Sequence, residues 1–331
     1  MIRGLSQIVS VNLISELKCL PPDFSFSDLS GFPKTIWPFQ VLIKLLSGPR
    51  RTVAFVPACT GHIGILSSAI LLWIFRVPIV IHGQAFLKKP SPRLSDNLVA
   101  LFWLTVSTRY ISYSDIGVDG LFAHPRLRHK VFTVLNRFES LSVLGLSDYQ
   151  PNYASFKGAS NCLKILFIGR NREGVRFDLA IALIKRLRQC GYRVELDVIG
   201  FHAEPHDGII FHGPLPSKAC LAVAKDSHIG LYPGDAGLSI LHYMALGLCP
   251  VVHSDMRKHS GPEPAYVENN STGCLFERLS LDSLLRVVIG LYGNPLLLAK
   301  LRYNARQKAL RIHAQLYSRE IFNLIAPLLE R

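Results

Sequence analysis

From Val53 onward the chain alternates: a short β-branched run, a turn, then a helical stretch, over and over. This constrains the fold more than any other feature, because strands separated by crossover helices build parallel sheets. "TVAFVPA" precedes "ILSSAILLWIF", "VPIVIHG" precedes "SDNLVALFWLTVS", and "RYISYSD" and "KVFTVLN" are two further strands. A polar stretch with Pro, Gly and Ser, Ser147 to Asn161, then interrupts the series as a linker would. The pattern restarts at "LKILFIGR" and runs through "RVELDVIG", "GIIFHGP", "HIGLYPG" and "CPVVHSD", with helical segments between, the first of them, "FDLAIALIKRLRQCG", ending at Gly191. Two series around a linker predict an α/β chain of two doubly wound domains, 1–150 and 151–331. The tail from Leu281 reads as helical, with basic residues on polar faces, and could cross back onto the first domain.

Of the 331 residues 49% are hydrophobic, enough for two cores. One segment admits two readings. Phe55 to Phe75 is long and uncharged enough to span a bilayer. Pro57, Gly61 and Gly64 break its front, which favours a strand, a turn and a buried helix. No secretory signal is expected, because Asn12, Glu16 and Lys18 interrupt the apolar start. Seven widely spaced cysteines without a Cys-x-x-Cys suit reduced thiols.

The net charge of +14 points to an anionic partner. It is spread along the chain, and neither zinc-finger spacing nor an RNA-binding aromatic signature is present, so no nucleic-acid partner is expected. A phosphorylated ligand and an anionic membrane surface remain. Lys88, Lys89 and Arg93 precede the apolar "LVALFWL", which suits a lipid-phosphate acceptor or such a surface.

The stretch "LYPGDAGLSILHYMALGLCPVVHSD" holds the sharpest site signal. Ligands of open α/β sheets bind beyond the carboxyl ends of the strands. Gly234 and Gly237 would let the backbone approach a ligand, and Gly237 or Ser239 would cap the following helix, whose N–H groups suit a diphosphate. Tyr243, Met244 and Leu246 read as core. His253 and His259 lack the spacing and carboxylates of a metal pair.

These residues resemble glycosyltransferase family 4, the retaining family with the GT-B fold. Gly237, Leu238, Met244, Ala245, Gly247, Pro250, Val251 and Val252 match its donor-site helix and next strand, and Pro262, Glu263, Thr272, Gly273 and Leu275 match its downstream segment. "LFIGR" is similar to the first strand of the family's second domain, with Arg170 in its Gly–Arg position, and "PIVIHG" to the strand bearing its active-site His, which falls on His82. The family's two glutamates fall on Gly234 and His242, so this chain looks like a branch with Pro–Gly–x–x–Gly–Leu–Ser and His in their place. The basic residue after Gly–Arg falls on Val175 or Arg176; Arg176 is chosen. The opening fifty residues are shorter and less regular than the family's.

The resemblance implies two Rossmann-like domains facing a cleft, an acceptor-side first domain and a nucleotide-sugar-binding second. It implies catalytic roles for His82, Arg170 and Arg176, donor binding by Gly234, Asp235, Gly237, Leu238, Ser239, His242 and Glu263, and acceptor-side roles for Lys88 and Lys89. No cofactor and no metal are expected. The expected reaction is retaining transfer of a hexosyl unit from a nucleoside-diphosphate sugar to a lipid-linked or glycan acceptor, such as a lipopolysaccharide precursor. The expected place is the cytoplasm, peripheral on the inner face of the cytoplasmic membrane. Two rivals stand: a sugar-nucleotide 2-epimerase on the same fold, and a non-catalytic nucleotide-sugar-binding module.

Overall fold

The computed structural model describes residues 38, 41–42, 53–58, 63–83, 94–114, 127–158 and 161–329. The chain divides into two compact units, Met1–Glu139 with Gln315–Arg331, and Ser140–Ala314.

Among the described residues the sheet of the first unit has four parallel strands in the order of the chain: β1 (Ala54–Pro57), β2 (Ile79–Gly83), β3 (Arg109–Ser112) and β4 (Val131–Thr133). Helix α1 (Ile63–Ile74) links β1 to β2, and α2 (Leu94–Val106) lies between β2 and β3. Phe55 to Phe75 is therefore not one spanning helix, because β1 pairs with β2 and ends at Pro57. No single helix among the described residues is long and apolar enough to cross a membrane.

Successive strand residues face opposite sides of a sheet, so a strand apolar at every position needs cover on both faces. Ile79 and Ile81 pack with Ile65, Leu72, Trp103 and Leu104 of the two helices. Val80 and Ile111 pack instead with Tyr317, Ile321, Ile325 and Leu328 near the end of the chain.

The second unit has six parallel strands: β5 (Leu163–Ile168), β6 (Val194–Ile199), β7 (Ile209–Gly213), β8 (Ile229–Tyr232), β9 (Cys249–His253) and β10 (Cys274–Phe276). Their order is β10-β9-β8-β5-β6-β7. This is the Rossmann order, which reverses direction between β5 and β8. The crossovers are α3 (Phe177–Gln189), α4 (Ser217–Ala224) and α5 (Ser239–Ala245). Helix α3 buries Leu179, Ala180, Leu183, Ile184 and Leu187 on one stripe. It stops where the sequence predicts, at Gly191 with φ 82°, because Gly191 and Tyr192 donate back to Arg188 and Leu187 in a Schellman turn.

The tail is helical as expected: α6 (Leu281–Gly293), α7 (Pro295–Ile312) and α8 (Tyr317–Leu329). Its arginines do not all lie on polar faces. Arg302 is fully buried and Arg306 nearly so. Arg302 donates to the carbonyls of Gly247, Tyr153 and Ser227, and Arg306 to those of Ala245, Leu146 and Tyr149. Both guanidiniums also lie over tyrosine rings, Tyr153 and Tyr149. The polar stretch expected as a linker thus belongs to the second unit, with Phe156 packed on His228 and Tyr292. The sequence-based boundary at 150/151 falls inside that unit.

Helix α8 belongs to the first unit. The Glu139 carboxylate accepts from Ser318 N (3.1 Å) and Ser318 Oγ (2.6 Å), and Arg137 pairs with Glu320. The anchored helix then covers the sheet face carrying Val80 and Ile111.

Candidate nucleotide site in the second unit

At the switch point β5 and β8 pair only through Ile165↔Ile229 and Leu166↔Gly230. Beyond that the strands part, which leaves Ile168 N–H and Leu231 C=O without strand partners. The buried Tyr243 hydroxyl takes both: it accepts from Ile168 N (2.7 Å) and donates to Leu231 O (3.1 Å). Burial holds its pKa well above the ordinary value, so it stays protonated. Gly230 leaves the space for its ring, since a Cβ there would lie 2.2 Å from it.

Two loops leave the strands at this point. After β5 come Gly169 and Arg170, whose exposed guanidinium has no protein partner among the described residues. Arg172, which the sequence did not single out, ties the two loops together by donating to Asp235 O (3.4 Å) and Ser260 Oγ (2.8 Å). Arg176 differs from expectation. It adopts φ 52° and its guanidinium is held bidentately by Asp178, at 2.9 and 2.7 Å, on its own helix. A side chain tied to the acid two residues on is not a free phosphate ligand.

After β8 comes the glycine turn. Its two glycines serve different ends. A Cβ at Gly234 would lie 2.0 Å from Gly174 O and 2.4 Å from Val175 O, and Asp235 N donates to Gly174 O at 2.7 Å. Gly234 is therefore needed for packing between the loops, a requirement that the sequence did not show. Gly237 is different: a Cβ there would meet nothing closer than Gly261 N at 3.6 Å, with Glu263 Oε2 at 3.8 Å. Neither Gly237 nor Ser239 caps α5. Leu238 holds the cap position without a side-chain hydrogen bond, and Ser239 begins the helix. His242 lies on α5, where burial lowers its pKa from 6.5 to about 4 and keeps it neutral.

The loop after β9 closes the turn from the other side. His253 and His259 stack at 3.7 Å between centroids and 7° between planes. Ala236 N donates to His259 Nδ1 (3.0 Å), so the proton of that neutral ring sits on Nε2, which donates to His253 O (2.9 Å). Burial lowers the His259 pKa to about 4. His253 Nε2 reaches Asp235 Oδ1 at 3.3 Å. Among the described residues no group of three or more His, Cys, Asp or Glu could hold a metal ion. Glu263 is buried at 1% exposure in a short 3₁₀ turn, its carboxylate beside Gly261 and near Gly237. Arg278, just past β10, reaches Asp235 Oδ1 at 3.5 Å and was also missed by the sequence. The loops at this point carry Arg170, Arg172 and Arg278, with Asp235 the one acid of the glycine turn itself and Glu263 buried beside it, a basic excess that suits an anion.

In the first unit, His82 is the penultimate residue of β2, with Nε2 3.0 Å from Tyr317 Oη. Tyr113 packs on it edge-on at 4.8 Å, and Phe55 lies 5.3 Å away. Burial lowers its pKa to about 4, so it is a neutral imidazole. Lys88, Lys89 and Arg93 lie outside the described residues.

No protein-family model and no curated protein matches the chain. Solved structures do. The Anabaena protein HepE, solved with UDP, superposes with a TM-score of 0.64 at 15% identity, over 88% of this chain and 82% of that one. A glycosyltransferase from Rickettsia africae gives 0.65 at 12% identity, over 97% and 88%. A Listeria monocytogenes protein assigned as a UDP-N-acetylglucosamine 2-epimerase gives 0.58 at 13%, over 95% and 84%. What these similarities establish is the architecture: a mixed α/β chain with two parallel sheets, the fold of the GT-B glycosyltransferases expected from the sequence.

Proposed function

We propose that the chain is a glycosyltransferase that takes a sugar from a nucleoside-diphosphate sugar, without a metal and with retention at the anomeric carbon. The observation that carries this reading is the convergence of Arg170, the open Gly237 and the buried Glu263 at the switch point of a Rossmann-ordered sheet. That is where dinucleotide and nucleotide ligands of such sheets bind. Arg170 would hold the diphosphate and offset charge developing on the leaving group. Leu238, Ser239 and neutral His242 would contact the nucleotide and Glu263 the sugar hydroxyls; His82, in the first unit, is read as catalytic by the resemblance. Arg176 would act only after leaving Asp178.

The acceptor side is read as lipid-linked or glycan, and the enzyme as peripheral on the cytoplasmic membrane. Exposed apolar side chains support this: Ile63, Ile70, Trp73 and Ile74 on α1, followed by Phe75, and Leu98 and Leu101 on α2. Apolar side chains of this kind enter the boundary between headgroups and acyl chains, and the excess of basic residues attracts anionic lipid.

Incubation with radiolabelled UDP-, GDP- and ADP-sugars plus a lipid extract tests the reading. Transfer of label to lipid or glycan is the expected outcome. Epimerised nucleotide sugar identifies the 2-epimerase instead, which the Listeria neighbour keeps in view. Binding without turnover identifies a non-catalytic module.

A further inference from the structure

Asp235 poses a problem for the donor reading, on which this inference rests. It is the one acid of the glycine turn, and a carboxylate beside a diphosphate repels it. The backbone of Asp235 is fully engaged: its N–H donates to Gly174 O at 2.7 Å, and its carbonyl accepts from Ser260 Oγ at 2.8 Å and Arg172 at 3.4 Å. Its carboxylate is aimed inward. Oδ2 would lie 3.3 Å from a Cβ at Gly174, and Oδ1 faces two donors, His253 Nε2 at 3.3 Å and Arg278 Nη2 at 3.5 Å. His253 is fully buried, and burial lowers its pKa, so Arg278 is the standing positive charge on this carboxylate. The Asp235 and Arg278 side chains remain 27% and 30% exposed on the same rim.

We propose that Arg278 is a positioning residue of the diphosphate site. It neutralises the Asp235 carboxylate where both side chains meet on the rim, so that the turn presents no net negative charge to an entering diphosphate. Arg278 acts through Asp235 rather than by gripping the phosphates itself. The anchored turn otherwise stays in place through Arg172, Ser260 and the Ala236–His259 bond.

This predicts a specific double-mutant pattern in the full-length protein. UDP, GDP, ADP, CDP and dTDP are titrated by calorimetry into the wild type, Arg278→Ala, Asp235→Asn and the double variant. The corresponding nucleosides are measured by competition. Arg278→Ala should weaken the diphosphate that binds by about tenfold, the scale of one uncompensated charge at a partly exposed site. Asp235→Asn should bind as well as the wild type or better. The double variant should recover to near the Asp235→Asn value, and nucleoside affinity should be the same in all four proteins. An unchanged Arg278→Ala affinity overturns the inference. So does a double variant as weak as Arg278→Ala, which would mark a direct ligand, and so does a parallel loss of nucleoside binding, which would mark collapse of the turn. A wild type that binds none of the five diphosphates overturns the donor reading itself, and this inference with it.

Discussion

The two units solve the same problem differently. Each is a parallel sheet that needs apolar cover on both faces. The second unit covers its six strands with segments that follow one another in the chain, Ser140–Ala314. The first has four described strands, and one face of its sheet is covered by α8, almost two hundred residues after β4. The first unit therefore depends on a distant contact to cover one face of its described sheet, whereas the second carries its own cover. In polar groups the two are alike: each directs buried arginine at its own backbone carbonyls, Arg137 at Leu135 O and Gln315 O in the first, Arg302 and Arg306 in the second.

The strongest way to break this comparison is to place a charge under α8. Ile321 is fully buried against Val80 and Ile111. Ile321→Asp should cost more than about 4 kcal/mol, because a buried carboxylate there has no partner. Hydrogen exchange should show lost protection at Val80 and Ile111, with Leu166 and Val198 unchanged. Equal loss in both sheets would mean that the units are not separate in stability.

Within the second unit, Gly234→Ala should destabilise by about 3 kcal/mol, since its Cβ meets backbone that cannot swing aside. Gly237→Ala should leave the melting temperature within error while weakening nucleotide binding. If both melt alike, the division of labour between the two glycines is wrong. Tyr243→Phe should cost about 2 kcal/mol, because Ile168 N–H and Leu231 C=O lose their shared partner. Urea melts followed by a probe in each unit would place that loss in the second.

The smallest effect is acid sensitivity. His228, His242 and His259 in the second unit have pKa values lowered by burial from 6.5 to about 3, 4 and 4; the first unit has His82, at about 4. A histidine with a depressed native pKa binds more protons unfolded than folded. Its stabilising contribution is complete above pH 6.5 and is lost as pH falls toward the native value. Between pH 7 and 6 the second unit should therefore lose about 1 kcal/mol more than the first. Chemical denaturation at the two pH values checks the sign. A first unit that proves the more acid-sensitive would contradict the burial of these three imidazoles.

The candidate site was unevenly legible. Arg170 and the glycine turn could be read because they sit at fixed offsets from strand ends, and strand ends follow from hydropathy. Arg172, Arg278 and the His253–His259 stack could not, because nothing local distinguishes a surface arginine from one that reaches across two loops. The same holds for Arg176, whose engagement depends on where α3 begins and on Asp178 beside it. β10 was missed as a strand because three residues carry too little period.

Sequence by itself determined the alternation of strands and helices, the break between β1 and α1, the end of α3 at Gly191, and the core standing of Tyr243, Met244 and Leu246. These follow from local physics: proline cannot donate to a ladder, glycine tolerates positive φ, and apolar residues repeat with the period of their element. Tertiary structure alone decided that α8 completes the first unit, that Arg302 and Arg306 are buried on carbonyls, and that Gly234 serves packing while Gly237 stays open. Each of these is a contact between segments far apart in the chain, and its energy depends on the distance between groups, which no single stretch of sequence contains.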